Sequence, residues 1–209
     1  MITHTENKES QSASTPNNVQ ADLMNGNKRF VNAQMNSRDY AAQRSQVVGG
    51  QFPKAVVLSC IDSRVPVETI FDQGIGDVFV ARVAGNFENV DILGSMEYSC
   101  KVAGSKLVMV LGHESCGAVK AACDGVELGN ITEMLEKITP AVKLSSEQVE
   151  GEASSANNEF VNKTIANNVM LTIERIREKS PILKEMEDNG EISIIGGVYS
   201  LTTGAVNLI

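Results

Sequence analysis

Three apolar, β-branched runs dominate the middle of the chain: KAVVLSC (54–60), DVFVARV (77–83) and KLVMVLG (106–112). Their hydrophobic residues are near-continuous rather than alternating, the pattern of strands buried on both faces of a sheet. A helix-length segment, VDILGSMEYSCKVAG (90–104), separates the second run from the third. Alternation of strand and helix leaves few topologies, because crossovers between parallel strands are right-handed and their helices must cover the sheet. The expected fold is α/β, a central, mainly parallel β-sheet flanked by helices.

The rest of the chain fits that frame. Residues 19–33 carry an imperfect apolar stripe (Val19, Leu23, Phe30, Val31) and read as an N-terminal helical arm, with a second short helix over 38–45. Residues 117–124 and 130–139 read as helices, the second ended by Pro140, and 145–158 as a surface loop. From 159 to 179 Val161, Ile165, Val169, Ile173 and Ile176 recur every three or four residues, a long amphipathic helix that stops at Ser180-Pro181. The segment EISIIGGVYSLTTGAVNLI offers a C-terminal strand hairpin, with Gly204 free to take the turn. No linker splits residues 19–209, so a single domain is expected there. Residues 1–18 are rich in Ser, Thr, Asn and Gln and are expected to be a disordered polar tail. They lack the apolar stretch of a signal peptide, so the expected address is cytoplasmic.

Composition narrows the chemistry. There are two histidines, His4 in the polar tail and His113, so sites built on two or three imidazoles are excluded. The net charge is −8, with 18 basic against 26 acidic residues, which disfavours a nucleic-acid partner. No apolar run is long enough to span a membrane.

In an open α/β sheet, ligands bind beyond the carboxyl ends of the strands. Two of the predicted strands end in metal-binding residue types: the first at Cys60, in SCIDSRVP, and the third just before His113, in LGHESCGA. Cys60, His113 and Cys116 form a C-x52-H-x2-C set. Two thiolates and an imidazole suit Zn²⁺, and three protein ligands leave a fourth position open, as in catalytic sites. Taken alone, the same residues also fit buried packing cysteines and a core histidine. Cys100 and Cys123 lie on predicted helices and read as packing residues, and Gly85 and Gly112 as turn glycines. Asp62 and Arg64 follow Cys60 on the turn leaving the strand. Asp62 can close the site as a fourth ligand or accept a proton from bound water. An arginine fork holding it by two parallel hydrogen bonds favours the second role.

CIDSRV (60–65) and HESCGAV (113–119), at this separation, resemble the two signatures of the β-class carbonic anhydrases. The resemblance extends through GNKRF (26–30), VARVAGN (80–86), SMEY (95–98) and GGVYSLTTGAV (196–206). It implies a zinc enzyme that hydrates carbon dioxide reversibly to bicarbonate and a proton. It assigns Cys60, His113 and Cys116 as ligands of one zinc per chain. Asp62 with Arg64 becomes the catalytic dyad that orients zinc-bound hydroxide, with Asp62 on the metal in a closed form. Gln51 matches the bicarbonate-directed glutamine of the plant-like, open-site subclass. Val57 stands where the other subclass has tryptophan, and this chain has no tryptophan at all. Phe79, Ala84, Tyr98 and Gly117 match substrate-pocket positions, Ala84 in place of a larger valine. The resemblance further implies a homodimer, or a dimer of dimers, with pockets lined from both chains. The other readings are a related heteroallene such as carbon disulfide as substrate, a zinc-binding assembly protein capped by Asp62, and a redox thiol protein using Cys60 and Cys116.

Charge arithmetic gives the pH dependence. Two thiolates cancel the charge of Zn²⁺, and a neutral centre acidifies water less than a three-histidine centre, whose bound water has a pKa of about 7. Turnover measured by stopped flow is therefore expected to rise from about pH 6 to about pH 9; a flat kcat over that range contradicts the assignment.

Overall fold

The computed structural model describes residues 1–209. Helices α1 (Lys8–Ala13), α2 (Pro16–Val31) and α3 (Tyr40–Gln46) precede strand β1 (Ala55–Ser59). Helix α4 (Val67–Ile70), β2 (Val78–Arg82) and α5 (Val90–Glu97) follow, α5 running into a π-helical turn over Tyr98–Val102. Then come β3 (Leu107–His113), α6 (Gly117–Cys123), α7 (Gly129–Glu136), α8 (Thr139–Ser146) and the long α9 (Asn158–Lys179). Helix α10 (Pro181–Asp188) and strands β4 (Ser193–Tyr199) and β5 (Val206–Leu208) complete the chain. No helix is long and apolar enough to cross a membrane.

The five strands lie in the order β2-β1-β3-β4-β5, all parallel except β5, which returns antiparallel to β4 through the turn at Gly204. Strands β1 and β3 pair from Ala55 with Leu107 to Ser59 with Leu111, and every residue of both is buried. Their side chains alternate between two cores, as the two-residue period of a strand requires. Ala55, Val57, Leu107, Met109 and Leu111 face Val19 and Leu23 of α2 and Ile70 of α4. Val56, Leu58, Val108 and Val110 face Met96, Cys100, and Val169, Ile173 and Ile176 of α9.

The mainly parallel α/β class read from the sequence is the observed one, with four differences. Strand β2, read as buried on both faces, is the sheet edge and only half-buried. Residues 1–18, read as disordered, are folded. Asn7 caps α1, and Gln11, 6% exposed, donates from Nε2 to the carbonyls of Pro53 and Ala103 at 2.8 Å each. Hydrogen bonds rather than apolar burial hold this segment, which is why its composition concealed it. Pro140 opens α8 instead of ending the preceding helix; proline is tolerated in a first turn, where the N–H it lacks has no helical partner. Ser180 ends α9 and also caps α10 through its hydroxyl, which accepts from the Leu183 N–H, so Ser180-Pro181 is a corner between two helices.

At the amino end of the sheet the Asp72 carboxylate is fully buried and accepts hydrogen bonds from Arg29, Arg38 and the Asn36 side chain. Burial alone would raise its pKa; the hydrogen bonds from Arg29 and Arg38 overcome this and hold it below the usual carboxylate value. Because the folded-state pKa is the lower one, this stabilisation is complete above about pH 4 and is lost as pH falls through the folded-state value. Asp72 has φ 50°, a conformation asparagine also adopts. Asp72→Asn is therefore expected to remove the charge without forcing the backbone. It should cost about 3 kcal/mol at pH 7 in urea unfolding, with a smaller loss of stability on acidification than the wild type shows.

Candidate metal centre

Strands β1 and β3 end side by side, so the residues that follow them leave the sheet at one place. Cys60 comes directly after Ser59, which pairs with Leu111; His113 ends β3. The chain then turns through Ser115, at φ 54°, and Cys116 becomes the residue that caps α6. The Sγ atoms of Cys60 and Cys116 are 3.9 Å apart, and with a ring nitrogen of His113 they form a group whose ligand atoms all lie within 4.8 Å of one another. All three residues are buried.

The donors suit zinc. His113 Nδ1 lies 2.9 Å from the Glu114 carbonyl oxygen, which requires Nδ1 to carry the proton and donate. Nε2 is then a bare acceptor, and it is buried with no hydrogen-bond partner. A fully buried imidazole nitrogen without a partner is costly unless it serves as a ligand. Two sulfurs each ~2.3 Å from a tetrahedral ion lie about 3.8 Å apart, matching the observed separation. The thiols are also unequal. The hydrogen bond shared with Cys116, aided by the Gly85 N–H, lowers the pKa of Cys60 against the opposing effect of burial; the same shared bond and burial raise that of Cys116.

Asp62 and Arg64 form the two-pronged pair expected from the sequence. Arg64 Nε donates to Asp62 Oδ1 at 2.9 Å and Nη2 to Oδ2 at 2.7 Å, and the Arg64 backbone N–H also reaches Oδ1. These bonds lower the Asp62 pKa to about 2. Arg64 Nη2 also reaches the Ser115 carbonyl at 3.4 Å, tying the two turns together. Asp62 Oδ2 lies 3.9 Å from His113 Nε2, beside the ligand group.

Ala84 and Gly117 lie at this end of the sheet as well. Ala84 precedes Gly85, whose N–H donates to Cys60 Sγ at 3.4 Å, and Gly117 opens α6 with no atom within 4 Å of where a Cβ would stand. Gln51, Phe79 and Tyr98 do not join them within one chain. Gln51 is exposed on the loop before β1, nine residues ahead of Cys60, a path of roughly 30 Å when extended. Phe79 lies near the start of β2, and Tyr98 packs edge-on against it with ring centroids 6.2 Å apart.

Several contributors escaped sequence reasoning. Arg82, the last residue of β2, donates to the carbonyls of Cys60 at 2.8 Å and Val65 at 2.6 Å, bracing the loop that holds Asp62 and Arg64. An arginine closing an otherwise apolar strand was a visible signal. Gly85 (φ 82°) serves a turn, as read, and also donates to Cys60. Gly112 is not in a turn but within β3 under α9, where an added Cβ would meet Val169 Cγ2 at 2.8 Å. Cys100 and Cys123 are buried and free, away from the ligand group, and burial pushes the Cys100 thiol up to about 12.

The fold and these residues define an α/β protein with a candidate metal centre at the carboxyl end of its parallel strands. The family model described as "Carbonic anhydrase" matches residues 55–206. A carbonic anhydrase of Mycolicibacterium smegmatis is 34% identical over 192 residues, covering 89% of each chain. Carbonic anhydrase 2 of Mycobacterium tuberculosis is 35% identical over 188 residues, covering 87% of each. Among solved structures, the β-carbonic anhydrase of Coccomyxa superposes with a TM-score of 0.70 at 26% identity, over 79% of this chain and 75% of that one. The chain belongs to the carbonic anhydrase family, β class, whose members are enzymes that hydrate carbon dioxide.

Purified protein is expected to carry about one zinc per chain by elemental analysis. Cys60→Ser, His113→Ala and Cys116→Ser should each lose it, whereas Cys100→Ala and Cys123→Ala should retain it. Zinc retained by the first three variants would refute the ligand assignment.

Proposed function

We propose that the chain hydrates carbon dioxide at a zinc held by Cys60, His113 and Cys116, with Asp62 and Arg64 as its catalytic pair, in a homodimer whose sites draw on both chains. The observation that carries the reading is the buried, unpartnered His113 Nε2 beside two cysteine sulfurs. Zinc in this position supplies Lewis acidity, which makes water a nucleophile near neutral pH.

The chain's own residues do the rest. The Glu114 carbonyl fixes the His113 tautomer, so the lone pair of Nε2 faces the two thiols. Arg64 occupies both Asp62 oxygens, which keeps the carboxylate ionised and restrains it beside the ligand group rather than in it. Asp62 Oδ2 then serves as the hydrogen-bond acceptor that orients a water for attack on carbon dioxide. Arg82 and the Ser115 carbonyl hold this turn in register with Cys60. Open space beside Gly117 leaves room for a small linear substrate.

Edge strand β2 supports the dimer. It is half-buried, and Val90 and Tyr98, which share a groove with Phe79, Val80 and Ala81, are exposed apolar residues. An unprotected apolar edge is a pairing surface. Antiparallel pairing of two β2 strands about a two-fold axis lays the amino end of one sheet beside the carboxyl end of the other. Phe79, Tyr98 and Gln51 of one copy would then approach the metal centre of its partner, where a glutamine amide can donate to a carbon dioxide or bicarbonate oxygen.

Asp62→Ala, with zinc retained, is expected to lower kcat/KM for carbon dioxide hydration about 10²-fold or more in stopped flow. Mixing subunits tests the sharing. Asp62→Ala chains refolded with Gln51→Ala chains should regain activity, because about one quarter of the sites then combine an intact Asp62 with an intact Gln51 of the other chain. No recovery in verified mixed dimers would refute the shared site, and full activity of Asp62→Ala would refute its role.

A further inference from the structure

Helix α9 supplies no residue to the ligand group, yet it reaches the segment that touches Cys60. It packs closely because the strands beneath it are glycine where it crosses: a Cβ on Gly112 would meet Val169 and Ile165, and one on Gly196 would meet Val169 and Ile173, all at 2.7–3.2 Å. That approach brings Asn168, 1% exposed, to the turn after β2, where its Nδ2 donates to the Gly85 carbonyl at 2.8 Å.

Asn86 N–H donates to the Val83 carbonyl at 3.0 Å, so residues 83–86 form a β-turn with Gly85 third at φ 82°. A positive φ at that position is the mark of a type II turn. The Gly85 N–H reaches Cys60 Sγ at 3.4 Å.

We propose that Asn168 is a positioning residue for the Cys60 thiolate: by holding the Gly85 carbonyl it anchors the residue whose N–H reaches the sulfur. The inference rests on Cys60 being a metal ligand. Asn167, the preceding residue of the same helix, provides an internal comparison. It is also buried, and its Nδ2 donates to Ser145 Oγ at 2.8 Å and Gln148 Oε1 at 3.0 Å, away from the metal centre.

The test uses wild-type protein and the variants Asn168→Ala, Asn168→Leu and Asn167→Ala, with zinc affinity measured by competition against a chromophoric chelator at fixed pH. Both Asn168 variants are expected to bind zinc about 10- to 100-fold more weakly, the range for groups that orient a ligand from behind. Asn167→Ala should lower the unfolding midpoint while keeping wild-type zinc affinity. With cobalt(II) in place of zinc, the thiolate-to-metal charge-transfer bands should move to lower energy in the Asn168 variants alone, because a thiolate that loses an N–H donor is more electron-rich. Asn168→Leu nearly preserves side-chain volume and decides the matter if the alanine variant does not fold. Wild-type affinity and unshifted bands in Asn168→Leu overturn the proposal, as does equal weakening in Asn167→Ala. A wild-type chain that binds no zinc refutes the metal assignment itself, and the inference with it.

Discussion

The in-register pairing of β1 with β3 is the constraint from which the site follows. Ser59 lies opposite Leu111, so Cys60 and His113 leave the sheet side by side, and only a short turn is needed to bring Cys116 to them. The register is held by burial. Both strands alternate their side chains between two apolar cores, and a slip of one residue would exchange those faces. The core therefore determines the spacing of the donors, and the turns need only aim them.

The two ends of the sheet place charge differently. At the carboxyl end, the two cysteines and His113 make a donor set suited to zinc, and the Asp62 carboxylate beside it is engaged on both oxygens by Arg64. At the amino end, Asp72 is buried between Arg29 and Arg38, and Lys54 pairs with Asp22 and Glu6. There the charges tie the segment before α1, helix α2 and the loop before α3 to the sheet. Truncating Asp72 or Lys54, the residue each cluster shares, removes the counter-charge of both its partners, so this region is sensitive to those substitutions although it is remote from the metal centre.

Much of this was legible in the residues. Continuous apolar runs marked β1 and β3, and their carboxyl ends carried Cys60 and, a few residues on, His113 and Cys116. Asp62 and Arg64 are two residues apart, so their fork was foreseeable from local spacing alone. Less legible was everything that depended on a distant partner. The first eighteen residues looked unable to fold because they are polar, yet Gln11 finds two backbone acceptors, at Pro53 and Ala103, far along the chain. Gly112 read as a turn glycine because nothing local reveals that α9 crosses it. Strand β2 has nearly the same apolar content as its neighbours, and its position at the edge is a property of the strand order.

Short-range periodicity and spacing were enough for the strands, the long amphipathic helix and the Asp62–Arg64 pair, whereas Cys60, His113 and Cys116 stood out as a set through the family resemblance. Tertiary structure alone decided which face of His113 is free, that Gly85 donates to Cys60, that Asn168 secures Gly85, and that Gln51, Phe79 and Tyr98 stand at the far end of the sheet from the metal centre. The physical reason is the same in each case. A hydrogen bond or a close approach between residues tens of positions apart depends on how the packed elements meet, and no local pattern encodes that meeting.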